Sequence, residues 1–291
     1  MIPLKPFPIP VVAAGPGSQT EDEQLDYLSL PQGMDTYRAP LLPEPEELHG
    51  HDGAVAALHA VRAALARVVA GEPAAPVALD GLAAADLALI HQVLGEGEVS
   101  AQVLPREGHG QAQAQIQESV FAGIWRVIEV LADGRVRDRI EVGAAPEVLG
   151  RAAREDAGRP RPDLLAAPAG VMNALPVLTE LEDHRQQWRA GQPAQVVNLS
   201  LLPLTPIDIG FLDHVLGTGR VLILSRGYGN CRITNAEVAH TWRVVYYNSQ
   251  DTVILNSVEV CALPEVALAA AEDLADTLER FDEVLAWVAQ G

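Results

Sequence analysis

Apolar residues recur along much of this chain with two distinct periods. Leu58, Val61, Leu65 and Val68 return every three or four positions and predict an amphipathic helix. A second helix follows and ends at the glycine of VLGEG (93–97), with a counterpart at VLGTG (215–219), where glycine suits a left-handed C-cap. Val221–Leu224 then reads as a strand. Val238, His240, Trp242, Val244 and Tyr246 alternate, the period of a strand with one buried face. Asp133-Gly134 and Asn248–Asp251 supply turn residues, and the second turn leads into a return strand over 252–260. Pro264 is placed to start a long helix whose stripe is Leu274, Leu278, Phe281, Leu285 and Val288. The pattern predicts an α+β fold.

The same pattern occurs twice. Residues 86–99, DLALIHQVLGEGEV, match residues 208–221, DIGFLDHVLGTGRV, at six of fourteen positions. Four further matches keep the same order. AGEPA (70–74) answers AGQPA (190–194), and Trp125-Arg126-Val127 answers Trp242-Arg243-Val244. Glu141-Val142 answers Glu259-Val260, and Pro146-Glu147-Val148 answers Pro264-Glu265-Val266. The expected organisation is an arm over 1–52, one copy over 53–150, a linker over 151–169 and a second copy over 170–291. Each copy should be a helix–helix–strand–hairpin–helix unit with its helices packed on a small antiparallel sheet.

Charge narrows the function. The chain has 39 acidic and 20 basic residues, a net charge of −19, which argues against binding a nucleic-acid backbone. Such acidity serves solubility or attracts a basic partner, and composition leaves both open. The arm is rich in proline and acid, with nine Asp/Glu and two Lys/Arg in residues 1–52. No apolar run is long enough to span a membrane, and Pro6, Pro8 and Pro10 interrupt the N-terminal apolar stretch where a secretory segment needs continuity. Cys231 and Cys261 match neither a disulfide framework nor a zinc spacing, so a reduced, cytoplasmic protein is expected.

No catalytic constellation emerges. GPGS (15–18) lacks the Gly-Lys-Ser/Thr ending of a phosphate loop, and His49-Gly50-His51-Asp52 has no further ligand in register. His184 and His240 read as ordinary hydrogen-bonding side chains. There is no nucleophile elbow and no HExxH motif, so no enzyme and no cofactor are expected. LSRGYGNCRI (224–233) stands out. Gly227 and Gly229 allow a tight loop from which Arg226, Tyr228, Asn230 and Arg232 project, and tyrosine and arginine make strong binding anchors. Cys231 is a candidate contact too, and flanking arginines would lower its thiol pKa if they lie close to it. Back from the shared tryptophans, Cys231, Arg232 and Ile233 align with Ala114, Gln115 and Ile116, so the apolar isoleucine is kept while the polar positions differ, and either the second copy gained a site or the first lost one. Binding loop, reactive cysteine and plain structural turn all remain open from these residues alone.

With YYNSQD (246–251), ILNSVEV (254–260) and the PEVALAAAEDLADT helix start, this loop resembles the HupH/HyaF family of hydrogenase expression/formation proteins. GPGSQ (15–19) and LPQGMDTYRAPLLPEPE (30–46) are similar to that family's N-terminal signature. The resemblance implies a non-enzymatic cytoplasmic accessory protein for uptake [NiFe]-hydrogenases. Its partner would be the iron–sulfur small-subunit precursor with its twin-arginine signal, with other maturation proteins possible alongside. Contacts would come from Arg226, Tyr228, Asn230, Cys231, Arg232 and Asn248, and from the acids Asp276 and Glu279 of the C-terminal helix, where residues 264–291 hold seven acids and one arginine. The alternative is iron or iron–sulfur handling, or redox protection, at Cys231.

Overall fold

The computed structural model describes residues 50–105, 113–158, 167–227 and 229–288. The first half runs α1 (Asp52–Val69), β1 (Val77–Ala78), α2 (Ala84–Leu94), β2 (Val99–Val103), β3 (Gln113–Glu118), β4 (Ile124–Val130), β5 (Val136–Val142) and α3 (Glu147–Asp156). The second half runs α4 (Ala174–Gln187), β6 (Gln195–Asn198), α5 (Pro206–Leu216), β7 (Val221–Ser225), β8 (Asn230–Asn235), β9 (Thr241–Tyr247), β10 (Val253–Val260) and α6 (Ala271–Val288). Short 3-10 turns at Leu199–Leu201 and Glu265–Ala267 precede α5 and α6. The class is α+β, as expected.

The sheet differs from expectation. Two small sheets were expected; the strands form one ten-stranded sheet in the order β1-β5-β4-β3-β2-β7-β8-β9-β10-β6. The join is the antiparallel pair β2–β7, with Ala101 opposite Ile223 at the centre of five pairs. The expected strand and hairpin are a four-strand meander, and a short edge strand (β1 or β6) lies between the two helices of each half. Val99, Ala101, Val103, Val221 and Ile223 are each at most 8% exposed. Their alternation buries one face of the join, and pairing the two strands satisfies backbone groups that two separate sheets would leave at open edges.

Local chemistry sets the element ends. α2 and α5 stop at Gly95 (φ +57°) and Gly217 (φ +67°), as the sequence predicts. α5 starts with a capping box between Thr205 and Asp208. The other Asp208 oxygen accepts N–H bonds from Met172, Asn173 and Ala174 at 2.8–3.0 Å, stapling the start of α4 to α5. Three boundaries shift. Residues 151–156 belong to α3, not to a linker. The long helix begins at Ala271, because a 3-10 turn follows Pro264 first. Val238 and His240 precede β9, and His240 (φ +57°) turns the chain where an unbroken strand was expected.

The two faces of the sheet are covered differently. On one, α3 packs Val148, Leu149 and Ala152 over the central strands, joining a core with Trp125, Ile223, Ile233 and Trp242. On the other, α1 and α2 cover Ile124 and Ile140 in the first half, and α4 and α5 cover Val258 and Val260 in the second. The terminal helices cross between halves. Asp156 at the end of α3 pairs with Arg220 at 2.7 Å. α6 returns to the first half, where Phe281 meets Phe121 edge-on at 5.1 Å and Asp282 pairs with Arg62 at 2.7 Å.

Candidate functional site

The loop singled out in the sequence joins β7 to β8 at one end of the sheet. Ser225 pairs with Cys231, which closes the loop, and Gly229 (φ +105°) takes a backbone conformation that side chains rarely adopt. Across the join, the N–H of Arg226 donates to the carbonyl of Glu98 at 3.1 Å. The Glu98 carboxylate lies where a Cβ on Gly227 would fall. The loop is therefore held by the first half of the chain as well as by its own strands.

Strand alternation separates the residues that follow. Asn230 and Arg232 point to the face opposite α3, where Asn230 is exposed, Arg232 is half-buried and its guanidinium lies over the Tyr247 ring at 5.5 Å. Cys231 points into the core and is 3% exposed. Burial pushes its thiol up to about 11, outweighing a hydrogen bond with Tyr246, and burial pushes Cys261 up to about 12. The flanking arginines do not offset this, since adjacent strand residues face opposite ways. Arg226 is exposed. Tyr228 lies outside the described residues, as do GPGS, His49 and all but the last three residues of the arm.

Asn248 sits beside Tyr247, the cross-strand partner of Asn230, so it belongs to the same sheet end. Its side-chain oxygen accepts N–H bonds from Gln250 (2.8 Å) and Thr252 (2.9 Å) and shapes the turn. Asp276 and Glu279 are exposed on α6, which packs on the first half. The structure thus groups Arg226, Asn230, Arg232 and Asn248, and places the helix acids on a separate element.

Two acids at this end escaped the sequence reading. Glu118, 8% exposed, closes β3, and Glu98 precedes β2. Burial pushes the Glu118 carboxyl up to about 7, and Glu98 and Asp273 push the same way against the N–H of Gly123, which donates at 3.2 Å. A signal was present: in the matched segments Glu98 stands where the second half has Arg220. At the opposite sheet end that arginine is neutralised by Glu155 (2.8 Å) and Asp156 (2.7 Å). At the loop end its counterpart Glu98 is exposed.

One cleft, of about 600 Å³, lies among Pro76, Arg137, Arg139, Glu141 and Arg151. Its floor is an ion network in which Glu129 pairs with Arg139 (3.0 Å) and Arg151 (2.6 Å), and Arg139 also pairs with Glu141 (2.8 Å). Glu141 in turn accepts the Glu147 N–H at the start of α3 at 2.9 Å. These charges are spent on one another and on holding α3. His51 bonds Asp86 at 2.8 Å, and the His240 ring stacks on Trp188 with centroids 3.6 Å apart. Among the described residues no three His, Cys, Asp or Glu side chains are placed to hold a metal, and no helix is long and apolar enough to cross a membrane.

Comparison with known proteins identifies the lineage. The family model described as the HupH hydrogenase expression protein, C-terminal conserved region, matches twice, over residues 52–165 and 171–288. The hydrogenase expression/formation protein HoxQ of Cupriavidus necator is 53% identical over 98% of this chain and 99% of its own. The hydrogenase-1 operon protein HyaF of Escherichia coli is 34% identical over 95% of each. A solved structure of the hydrogenase expression protein HupH from Thiobacillus denitrificans aligns with 39% of this chain and 95% of its own, at 29% identity and a TM-score of 0.37. The chain belongs to the HupH family of hydrogenase expression/formation proteins.

Proposed function

We propose that this chain is a cytoplasmic accessory factor in hydrogenase maturation that binds the iron–sulfur small-subunit precursor of an uptake [NiFe]-hydrogenase before its export. The observation that carries the reading is kinship along the whole chain with proteins named for hydrogenase expression and formation. The site favours binding over chemistry. Arg226, Asn230 and Arg232 form a polar surface on a loop fixed from two sides, while the nearby thiol is buried and protonated at neutral pH. In this reading Cys231 anchors the loop, and Arg226, Tyr228, Asn230, Arg232 and Asn248 contact the mature part of the subunit. Asp276 and Glu279, in an acidic chain, attract the basic export signal over a Debye length of about 8 Å.

We read the two halves as copies of one unit. The family model matches each, and both run through the same order of strands. The test of the function is co-purification of tagged protein with the precursor and with a subunit lacking its signal. Recovery of the precursor alone supports the reading. Equal recovery of both forms, or recovery of neither, contradicts signal recognition.

A further inference from the structure

The α3 side of the sheet ends differently in the two halves. In the first half its outer strands carry the ion network of Glu129, Arg139 and Glu141, joined by Arg151 of α3. Strand register fixes the matching places in the second half. Trp125 stands opposite Glu141 as Trp242 stands opposite Glu259. Val127 opposite Arg139 matches Val244 opposite Ser257, and Glu129 opposite Arg137 matches Tyr246 opposite Leu255. The acids recur and the arginines do not. Glu141 and Glu147 correspond to Glu259 and Glu265, whereas Arg137, Arg139 and Arg151 correspond to Leu255, Ser257 and Ala269.

The second-half carboxylate is therefore left with little to hold it. Glu141 pairs with Arg139 at 2.8 Å and accepts the Glu147 N–H at 2.9 Å. Glu259 accepts only a long bond from the Ser257 hydroxyl, at 3.5 Å, and among the described residues neither Glu259 nor Glu265 has a basic partner. Burial, and then the nearby Glu265, push the Glu259 carboxyl above its ordinary value. The group is still reachable. Glu259, Tyr246, Leu255 and Leu263 are half-buried, Glu265 is exposed, and Val196, across from Glu259 on β6, is 53% exposed. Among the described helices, α3 stands over the central strands, and α4 and α5 pack on the opposite face of β10. Tyr246 lies opposite Cys231, so this patch begins beside the loop.

We propose that this patch binds an arginine of a basic segment of the subunit precursor, a proposal that rests on the function and the duplication proposed above. The guanidinium pairs with Glu259 as Arg139 pairs with Glu141, and Glu265 adds negative charge at the rim. Val196, Leu255 and the body of Tyr246 cover the aliphatic stem. Arginine is preferred to lysine because its planar fork bonds both carboxylate oxygens and stacks on an aromatic ring. An acidic segment is repelled. Asp276 and Glu279 act at a distance; this patch grips at contact.

Photo-crosslinking in the full chain tests this. Benzoylphenylalanine replaces Val196, the protein is co-expressed with the hydrogenase subunits, and crosslinked peptides are read by mass spectrometry. The expected product joins the probe to a subunit segment that contains arginine and in which Lys and Arg outnumber Asp and Glu. In chains without the probe, Glu259→Gln should lower precursor recovery about tenfold, whereas Glu180→Gln, which removes the same charge from exposed α4 surface, should not. Glutamine in place of the crosslinked segment's arginine should lower recovery equally and add nothing in Glu259→Gln. The crosslink leaves Glu259 intact, so it decides the matter if Glu259→Gln fails to fold. Additive losses, unchanged recovery with folded Glu259→Gln, or crosslinks to an acidic segment, to residues 1–49 or to a second copy overturn the proposal. So does an absence of crosslinks while the subunit still co-purifies, which leaves the partner assignment standing. Failure of the subunit to co-purify with unsubstituted protein overturns both.

Discussion

The backbone N–H of Arg226 donates to the carbonyl of Glu98 at 3.1 Å, tying the candidate recognition loop to the opposite half of the chain. Loop geometry therefore depends on the β2–β7 join as well as on the loop's own sequence. At the other end of the same join, the Leu104 N–H donates to the Arg220 carbonyl at 2.9 Å. A recognition loop so held is fixed before its partner arrives, which lowers the entropy cost of binding.

The two loop glycines should respond differently to alanine. Gly229 has φ +105°, so Gly229→Ala forces a strained backbone and should cost about 1–2 kcal/mol. Gly227→Ala meets only the end of the exposed Glu98 side chain, which can swing away, and should cost under about 0.5 kcal/mol. Urea denaturation of both variants checks the order.

Glu118 should make stability fall as pH rises. Its folded pKa of about 7 lies above the ordinary 4.5, so the folded state binds more protons between those values and loses stability across that window. Glu118→Gln should remove this loss and gain roughly 3 kcal/mol over wild type above pH 7. Denaturation curves at pH 5 and pH 8 should show most of the gain at pH 8.

Neither cysteine should react while the protein is folded. With thiol pKa values of about 11 and 12, the thiolate fraction at pH 8 is on the order of one in a thousand or less. A thiol reagent at pH 8 should titrate both residues only after denaturation. Rapid native-state labelling of Cys231 would restore a redox reading.

Asp208 is the buried staple of the second half. Burial opposes its charge, but hydrogen bonds from Thr205, Asn173 and Met172 outweigh burial and hold the carboxyl well below the usual range. Asp208→Ala leaves several N–H groups at the starts of α4 and α5 without their acceptor and should cost about 3 kcal/mol. The depressed pKa means the carboxylate's contribution is present above the unfolded value and fades as pH falls through the folded one. Thermal melts at pH 7 and pH 3 should show the variant's deficit shrinking in acid.

Much of the local structure was legible in the sequence. The heptad-like stripes of α1 and α6, the caps at Gly95 and Gly217 and the turn at Gly134 follow from periodicity and backbone preference, which a short window contains. The β2–β7 join was not legible, because it pairs residues about 120 apart and depends on tertiary contact. β8 was hidden because NCRITN mixes polar residues on its open face with Cys231 and Ile233 on its buried one. The loop was legible as a unit. Which of its residues face solvent was not, since that depends on a register fixed by β7 and β9.

The most direct test replaces residues 225–232 with PREGHGQAQAQ from the first half, so that Ala114 and Gln115 stand for Cys231 and Arg232. Recovery of the small-subunit precursor with the tagged graft is then measured against wild type, with a thermal melt as the folding control. We expect a cooperative melt with precursor recovery reduced about tenfold or more, because the shared tryptophans and strands carry the core while the loop carries the contacts. A folded graft that recovers precursor as well as wild type would contradict the account.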